Sequence, residues 1–199
     1  MGSAWYVGMD AGEVDDDDES VFYYVWPVRA GQGGAVEIPR TGQTTIYSAG
    51  DDGSLQEGAA WPSPRFTTNS DTTVTDNITG LIWMPDGSTP TVSSCTGGSM
   101  AWQAGLDYVS CLNTNGYLGY SDWRLPNVNE LESLVNAGSS NTGFWLNTQG
   151  FSNVQNGWYW SSTTDAGNTV CAWSVSMYGQ VTGYGKTYTF FVWPVRSGN

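Results

Sequence analysis

The sequence contains no histidine and only six lysine and arginine residues in a chain of 199 residues. The absence of histidine excludes a histidine acid or base and any metal site built on imidazole. Nineteen aspartate and glutamate residues give a formal net charge of −13, so the chain repels the phosphates of nucleic acids and of anionic membranes. Because no apolar run reaches the length of a membrane span either, we expect no nucleic-acid partner and no membrane insertion.

Cysteine is also scarce, with three residues in the chain. Cys95 and Cys111 flank a predicted helix, and from the residues alone they form either a disulfide or two buried thiols. Cys171 is the odd residue, at the start of the last predicted hairpin. The low lysine content and the candidate disulfide favour an oxidising compartment. We expect an extracellular protein, on a cell surface or on a virion.

Aromatic residues and glycine are abundant, with 11 tryptophans, 11 tyrosines and 26 glycines. Tyrosine, serine and glycine are also the residues that binding loops favour, because tyrosine gives contact area and the small residues adapt their conformation. The length is sufficient for one full domain with its own core. The composition therefore predicts a loop-rich domain with short strands.

The beginning of the chain is a near copy of its end. Residues 4–31 and 172–198 align with one residue of slip, and both contain the sequence Val-Trp-Pro-Val-Arg, at 25–29 and at 192–196. Such self-similarity is the signature of repeated units. We therefore predict that residues 1–30 form a hairpin that resembles the tail of a preceding repeat.

The remaining domain boundaries are predicted from the composition of each segment. Residues 31–40 are rich in glycine and are predicted to be a flexible linker. Residues 41–199 are predicted to form the complete domain, which ends in a hairpin of variable-like sequence.

The opening hairpin is predicted to have strands at Trp5–Met9 and Val21–Val28, with the acidic run Asp15–Glu19 between them. We interpret this run as a solvated loop. A calcium site is the alternative, although the run lacks the spacing and the glycine of an EF-hand loop, and we expect no other cofactor. An isolated hairpin is marginal in water, so this one is expected to dock on its own chain, on another chain or on a tandem copy.

Constant and changed positions alternate in the first strand of the last hairpin. Side chains on a strand point alternately to opposite faces of the sheet. The residues that match the first copy, and that we predict to face the core, are Trp173, Val175 and Met177. The residues that differ, and that we predict to face outwards, are Ser174, Ser176 and Tyr178.

The replacements between the two copies share a chemical bias. The paired residue types include Tyr and Ser, Gly and Ser, Asp and Tyr, Asp and Thr, Asp and Gly, and Val and Tyr. All are reached from an asparagine codon by changing only its adenines. This pattern resembles the variable proteins of diversity-generating retroelements, which rewrite adenines in one cassette of a binding domain. The alternative is ordinary drift of a surface strand in a tandem duplicate.

Local patterns predict the other elements. Residues 73–84 are predicted to be a hairpin with its turn at Asn77–Gly80. One helix is predicted from an N-cap at Ser99 to about Leu112, and a second helix follows the capping-box pattern of Asn127 and Glu130. Residues 139–157 are predicted to be a polar loop, and a strand follows at 158–163. The fold class is therefore α+β, with two helices and short antiparallel strands.

Four motifs identify a family resemblance. In chain order they are Thr75–Trp83, Asp122–Leu131, Tyr159–Thr163 and Val192–Arg196. They resemble the family of domains of unknown function typified by the C-terminal domain of the Lcl collagen-like adhesin. The resemblance extends from about Thr41 to Arg196.

The resemblance implies a C-type-lectin-like fold, which formylglycine-generating enzymes and retroelement variable proteins share. It also implies a ligand-binding role that is often extracellular, and a disulfide between Cys95 and Cys111. The residues that match structural positions of the family are Trp83, Trp123, Arg124, Leu125 and Trp160. The guanidinium of Arg124 is expected to pair with a carboxylate, either that of Glu130 or that of Asp122.

These observations predict a non-enzymatic binding protein, of receptor or adhesin type, with a protein or a glycan as its ligand. The candidate ligand residues are Asn168, Val170, Cys171, Ser174, Ser176, Tyr178, Thr182, Tyr184, Tyr188 and Phe190. A structural array of tandem repeats without a ligand is one alternative. An enzyme, by analogy with the cysteine pair of formylglycine-generating enzymes, is the other, but no nucleophile and base can be paired here.

Overall fold

The computed structural model describes residues 2–28 and 38–198 of the chain. The strands, in chain order, are β1 (Ser3–Val7), β2 (Val14–Asp18), β3 (Phe66–Thr68), β4 (Val74–Asp76), β5 (Ile82–Trp83), β6 (Trp158–Thr164), β7 (Cys171–Ser176), β8 (Val181–Gly185) and β9 (Val195–Arg196). The α-helices are α1 (Asp52–Leu55), α2 (Trp102–Thr114), α3 (Val128–Glu132) and α4 (Thr142–Asn147), and a 3-10 turn covers Tyr117–Gly119. The α+β class and the short antiparallel strands are confirmed.

The strands form two antiparallel sheets. The first sheet has the order β1-β2-β8-β7-β6, and the second has the order β3-β4-β5-β9. In the second sheet β9 returns from the far end of the chain to pair with β5, so that Trp83 lies opposite Val195. The predicted hairpin at 73–84 is confirmed as β4 and β5.

The core between the sheets is aromatic. The ring of Trp193 meets those of Trp83, Phe151 and Tyr159 at centroid distances of 5.8, 5.0 and 5.5 Å. Trp83, Trp193 and Tyr159 are fully buried. The buried polar groups of two of them have partners, since Trp193 Nε1 donates to the Met84 carbonyl and Tyr159 Oη donates to the Gly87 carbonyl, both at 2.8 Å. This core fixes the end of the chain, and with it the last hairpin.

The second predicted helix is confirmed at its start. Asn127 Oδ1 accepts from the Glu130 amide at 2.9 Å, and Glu130 Oε2 accepts from the Asn127 amide at 2.8 Å, which completes the capping box. The same Glu130 carboxylate takes two 2.7 Å hydrogen bonds from Arg124. Of the two partners that the sequence left open for Arg124, Glu130 is the correct one. Asp122 instead pairs with Arg196.

Several helix boundaries that were predicted from the sequence are wrong. Helix α2 begins at Trp102 rather than after Ser99, and its N-cap Ala101 offers no side-chain acceptor. The described residues contain four α-helices rather than two, because the short helices α1 and α4 also form, the second of them inside the segment that was predicted to be a polar loop. Each is nucleated by an acceptor side chain at its N-cap, Asp51 for α1 and Asn141 for α4.

The opening hairpin forms, but with different strands from those predicted. Its second strand is β2, which contains most of the acidic run, while Val21–Val28 has no regular structure and is largely exposed. The hairpin docks on its own chain, because Val14 of β2 pairs with Val181 of β8. The predicted linker at 31–40 lies mostly outside the described residues.

The predicted disulfide is present. Cys95 and Cys111 are bonded, with their Cα atoms 5.7 Å apart, and Cys171 is a free thiol that is partly buried. The bond ties the loop before α2 to the last turns of that helix.

Candidate ligand-binding surface

The β7–β8 hairpin and the neighbouring strand β6 form one face of the sheet, on which side chains from all three strands meet. Ala172 of β7 lies opposite Tyr184 of β8, and Ser174 lies opposite Thr182. On the other side of β7, Trp160 of β6 lies opposite Ser174. Directly paired residues of antiparallel strands point to the same face, so these side chains share one face of the sheet.

An aromatic cluster lies on this face. Its members are Trp158, Tyr184, Tyr188 and Phe190, which we call the aromatic surface. The ring of Tyr184 is 4.9 Å from that of Trp158, 5.6 Å from that of Tyr188 and 5.0 Å from that of Phe190, centroid to centroid. Tyr188 is 57% exposed, and the other three rings are partly buried. Three of the ten predicted ligand residues therefore come together in one partly exposed cluster.

Backbone contacts hold this cluster in place. Phe190 exchanges two hydrogen bonds with Met100, of 2.9 and 3.0 Å, and its ring packs at 4.7 Å on that of Trp160. The Tyr188 amide donates to the Gly185 carbonyl at 2.9 Å and so closes the turn after β8. The rings are thus presented by a segment that is anchored to the core at Phe190.

The prediction that Ser174 and Ser176 face outwards into solvent is wrong. Both side chains are buried. Ser174 Oγ donates to the Thr182 carbonyl at 2.9 Å, and Ser176 Oγ accepts from the Tyr178 amide at 3.1 Å. The physical reason is that Trp158 and Tyr184, on the strands to either side of β7, contact each other on the face that carries both serines.

Thr182 lies within β8, opposite Ser174, and the other predicted residues lie at the two ends of the hairpin. Asn168 and Val170 are exposed residues of the loop before β7, and Cys171 is the first residue of that strand. Asn168 Nδ2 lies 3.4 Å from Cys171 Sγ. Tyr178 is 54% exposed but stands in the turn at the opposite end of β7, about 17 Å along the strand from the Cys171 loop. The ten predicted residues therefore do not form a single continuous surface.

Lys186 was missed by the sequence-based prediction. It is the only lysine of the chain, and it lies two residues after Tyr184. Its Nζ donates to Thr164 Oγ1 at 3.0 Å and to the Thr169 carbonyl at 3.1 Å, and it lies 4.2 Å from the ring centroid of Trp102. Among the described residues it has no carboxylate partner. Its signal in the sequence was the replacement of Glu19 by lysine between the two copies.

A shallow groove offers a second place for a small ligand. It has a volume of about 520 Å³ and lies between α2 and the segment before α3, with Leu106, Val109, Trp123, Arg124 and Leu125 in its lining. The guanidinium of Arg124 is already engaged by Glu130. The groove is therefore largely apolar, and it offers less specific chemistry than the aromatic surface.

The described part of the chain contains no group of three or more Cys, Asp or Glu side chains arranged to hold a metal ion. The expectation that the protein works without a cofactor, and the calcium alternative, remain predictions. No helix in the described ranges is long and apolar enough to cross a membrane. The Cys95–Cys111 disulfide is typical of proteins outside the cytosol.

Comparison with known proteins identifies one family. Neither the curated proteins nor the solved structures give a match to this chain. The model of the Lcl C-terminal domain family matches residues 72–196, which cover α2, α3, α4, β6 and the last hairpin. Residues 41–71, where the resemblance was expected to begin, lie outside the match. Since the match spans well over half of the sequence, the chain belongs to the Lcl C-terminal domain family.

Proposed function

We propose that this chain is a non-enzymatic ligand-binding protein that recognises a protein or a glycan with its aromatic surface. The observation that carries the proposal is the meeting of Tyr184, Tyr188 and Phe190 with Trp158 in one partly exposed cluster. Membership of the Lcl C-terminal domain family agrees with a ligand-binding role.

The chemistry of the cluster fits recognition rather than catalysis. Tyrosine and tryptophan combine a broad apolar ring with a polar group, so that they bind with large contact area and lose little conformational entropy. Flat rings also suit stacking on a sugar. Lys186, two residues from both Tyr184 and Tyr188 in the sequence, adds a donor and a positive charge to a chain with a net charge of −13.

The proposal extends to the fold and to the origin of the surface. We assign the two-sheet arrangement to the C-type-lectin-like class, and we attribute the differences between the two hairpin copies to a diversity-generating retroelement. Support comes from the adenine-compatible replacements and from the exposure of Tyr178 and Tyr188, which differ between the copies. Sequencing of the encoding locus tests this part. An adenine-substituted near copy of the 158–196 coding segment beside a reverse-transcriptase gene is expected, and its absence would leave drift as the explanation.

The binding test uses two tyrosines of similar exposure. Tyr188 and Tyr178 are 57% and 54% exposed, but only Tyr188 belongs to the aromatic surface. The probes are a printed oligosaccharide array and a phage-displayed peptide library. Binding to them is measured first for the full chain and then for each variant. Tyr188→Ala is expected to weaken binding to the selected probe about tenfold or more, the scale of one lost anchor residue. Tyr178→Ala is expected to leave binding unchanged, and equal losses in both variants would contradict the proposal.

The proposal also places this protein outside a cell, on a cell surface or on a virion, and assigns it no catalytic residue. A thiol titration tests the second point. One free thiol, that of Cys171, is expected in the native protein. Two or more free thiols with low pKa values would instead support a cysteine-dependent enzyme.

A structural role in a tandem array is the second candidate. One observation favours it, namely the edge-to-edge pairing of the opening hairpin with the last hairpin through Val14 and Val181. A protein of this kind would bind no oligosaccharide or peptide whose affinity depends on Tyr188. The Tyr188→Ala comparison therefore separates the two candidates.

A further inference from the structure

The two hairpins of the chain have the same strand register. In the first, Trp5 lies opposite Asp16 and Val7 lies opposite Val14. The aligned residues of the last hairpin are paired in the same way, with Trp173 opposite Gly183 and Val175 opposite Val181. The sequence copy is therefore also a structural copy over β1 and β2.

The hairpins meet at equivalent residues. Val14 of β2 and Val181 of β8 occupy the same position of the alignment, and they are the residues that pair across the antiparallel junction. An antiparallel pair of equivalent residues places a local two-fold axis between them. Such an axis predicts that every other contact of the junction occurs twice, once in each direction.

Reciprocal contacts of this kind are present. Trp5 covers Gly179, where an added Cβ atom would lie 2.9 Å from Cη2 of Trp5. Trp173 covers Gly12, where an added Cβ atom would lie 3.5 Å from Cη2 of Trp173. Trp5 is the counterpart of Trp173, and Gly12 is the counterpart of Gly179. Both glycines have positive φ angles, of 78° and 105°, which glycine adopts without strain.

We propose that the β7–β8 hairpin is a self-complementary docking surface whose partner is a second copy of the same hairpin, and that the opening hairpin occupies this surface in the present chain. The residues that make the junction, namely the valine, the tryptophan and the glycine, are identical in the two copies. Most of the residues after the valine differ. Because the residues of the junction are unchanged while the others differ, two related domains could keep this one contact as the sequences of their other surfaces change.

Polar groups at the junction fit the same arrangement. Gln180 Nε2 donates to Asp15 Oδ1 at 3.2 Å. In a pair of two last hairpins the position of Asp15 is taken by Thr182, which also offers an acceptor oxygen. In the present chain, the covalent connection gives the opening hairpin a high effective concentration. It therefore excludes a second molecule from the β8 edge.

The test releases the opening hairpin in the full-length chain. Trp5→Ala with Val14→Lys removes the tryptophan and the valine with which the opening hairpin makes the junction, and it leaves β7 and β8 intact. The unaltered protein is expected to be monomeric in sedimentation equilibrium, whereas this released variant is expected to form dimers as its concentration rises. Adding Val181→Lys to the released variant is expected to weaken the dimer by about tenfold or more, since it charges both sides of the junction. Near-UV circular dichroism verifies that each variant keeps its core.

A cross-link locates the axis. In the released variant with Cys171→Ser, the further change Val181→Cys is expected to give a covalent dimer under mild oxidation, because paired Cα atoms in antiparallel strands lie within disulfide distance. Thr189→Cys, at an exposed position outside the junction, is the matched control and is expected to stay monomeric. A folded released variant that remains monomeric, or that cross-links no better through position 181 than through position 189, overturns the proposal.

Discussion

Trp193 donates a 2.8 Å hydrogen bond from its indole nitrogen to the carbonyl oxygen of Met84, at the centre of the core. The same pentapeptide, Val-Trp-Pro-Val-Arg, occurs near the beginning of the chain, where its tryptophan is Trp26. Trp193 is fully buried, whereas Trp26 is 81% exposed. One local sequence thus occupies two opposite environments, and the body around it decides which one.

The two tryptophans give a matched stability test. Trp193→Ala is expected to lower the free energy of unfolding by about 4 kcal/mol, because it removes a buried ring and leaves a cavity. Trp26→Ala is expected to change it by less than about 0.5 kcal/mol, as for other exposed positions. Urea denaturation of both variants measures the difference. Equal losses would mean that Trp26 is also packed in a core.

The disulfide contributes to stability through the loop that it closes. Cys95 and Cys111 are 16 residues apart, and the chain-entropy model assigns about 3 kcal/mol to a loop of this size. Cys95→Ser with Cys111→Ser is therefore expected to lower the unfolding free energy by about that amount. Cys171→Ser removes a free thiol and serves as the control with little expected effect. A reductant that leaves the unfolding midpoint of the unaltered protein in place would contradict this assignment.

Arg65 and Asp76 form a buried ion pair with a separation of 3.5 Å. The guanidinium lies 4.2 Å from the ring centroid of Trp61 and also donates to the Ser133 carbonyl. Burial lowers the pKa of Arg65, and the charge of Asp76 opposes that shift. The cost of the buried cation is therefore partly offset by one carboxylate.

Removal of that carboxylate should be more harmful than removal of both charges. Asp76→Asn is expected to lower the unfolding free energy by about 3 kcal/mol, because it leaves a buried cation without its counter-charge. Arg65→Met together with Asp76→Asn is expected to restore part of the loss. A double variant that is less stable than Asp76→Asn alone would show that Arg65 acts mainly through its ring and carbonyl contacts.

Glu132, at the end of α3, gives a pH-dependent prediction. Burial raises the pKa of this carboxyl above its ordinary value of 4.5. An acid with a raised pKa in the folded state opposes folding when it is ionised, so its cost is present at neutral pH and disappears as the pH falls to about 4.5. Glu132→Gln is therefore expected to raise the unfolding free energy at pH 7 but not at pH 4. Glu57→Gln, on an exposed side chain, is the control for the loss of one negative charge.

Ser174 tests which positions of the hairpin tolerate replacement. The equivalent residue in the first copy is Tyr6, whose ring stacks at 4.6 Å on Tyr23. In the last hairpin the same position is fully buried, so Ser174→Tyr is expected to cost about 2 kcal/mol through overpacking. Thr187→Tyr, at an exposed position, is expected to cost much less. Equal tolerance in thermal unfolding would mean that the rings above Ser174 move aside easily.

Sequence reasoning succeeded where the signal was local or repeated. The capping box of Asn127 and Glu130 and the hairpin turn after Asp76 were visible as short patterns, and the duplication predicted a hairpin at the start of the chain, although not its second strand. It failed for α1 and α4, because each helix is only one or two turns long and depends on a single N-cap side chain. A hydrophobic period cannot be recognised over so few residues.

At the candidate site, the burial of side chains could not be predicted from the pattern of one strand. Alternation in β7 predicts a core face and a solvent face, but this prediction holds only for a sheet with one solvated side. Here Val175 and Ser174 are both fully buried, although they point to opposite faces. The cover over Ser174 comes from Trp158 and Tyr184 on neighbouring strands, and no pattern within β7 encodes it. Tyr184, Tyr188 and Phe190 lie together because the turn after Gly185 folds the chain back on itself, and their role in ligand binding stays a prediction.

Lys186 has a consequence for how the protein is handled. It carries the only side-chain amine in the chain, and it lies two residues from Tyr184 at the edge of the aromatic surface. Reagents that immobilise proteins on sensor chips or beads through amines couple to this side chain. Molecules that couple through this side chain, rather than through the α-amine of the N-terminus, would have the proposed site turned towards the matrix, so that a ligand screen on amine-coupled protein would under-report binding. Attachment through an enzymatically biotinylated terminus keeps that surface open to the solution.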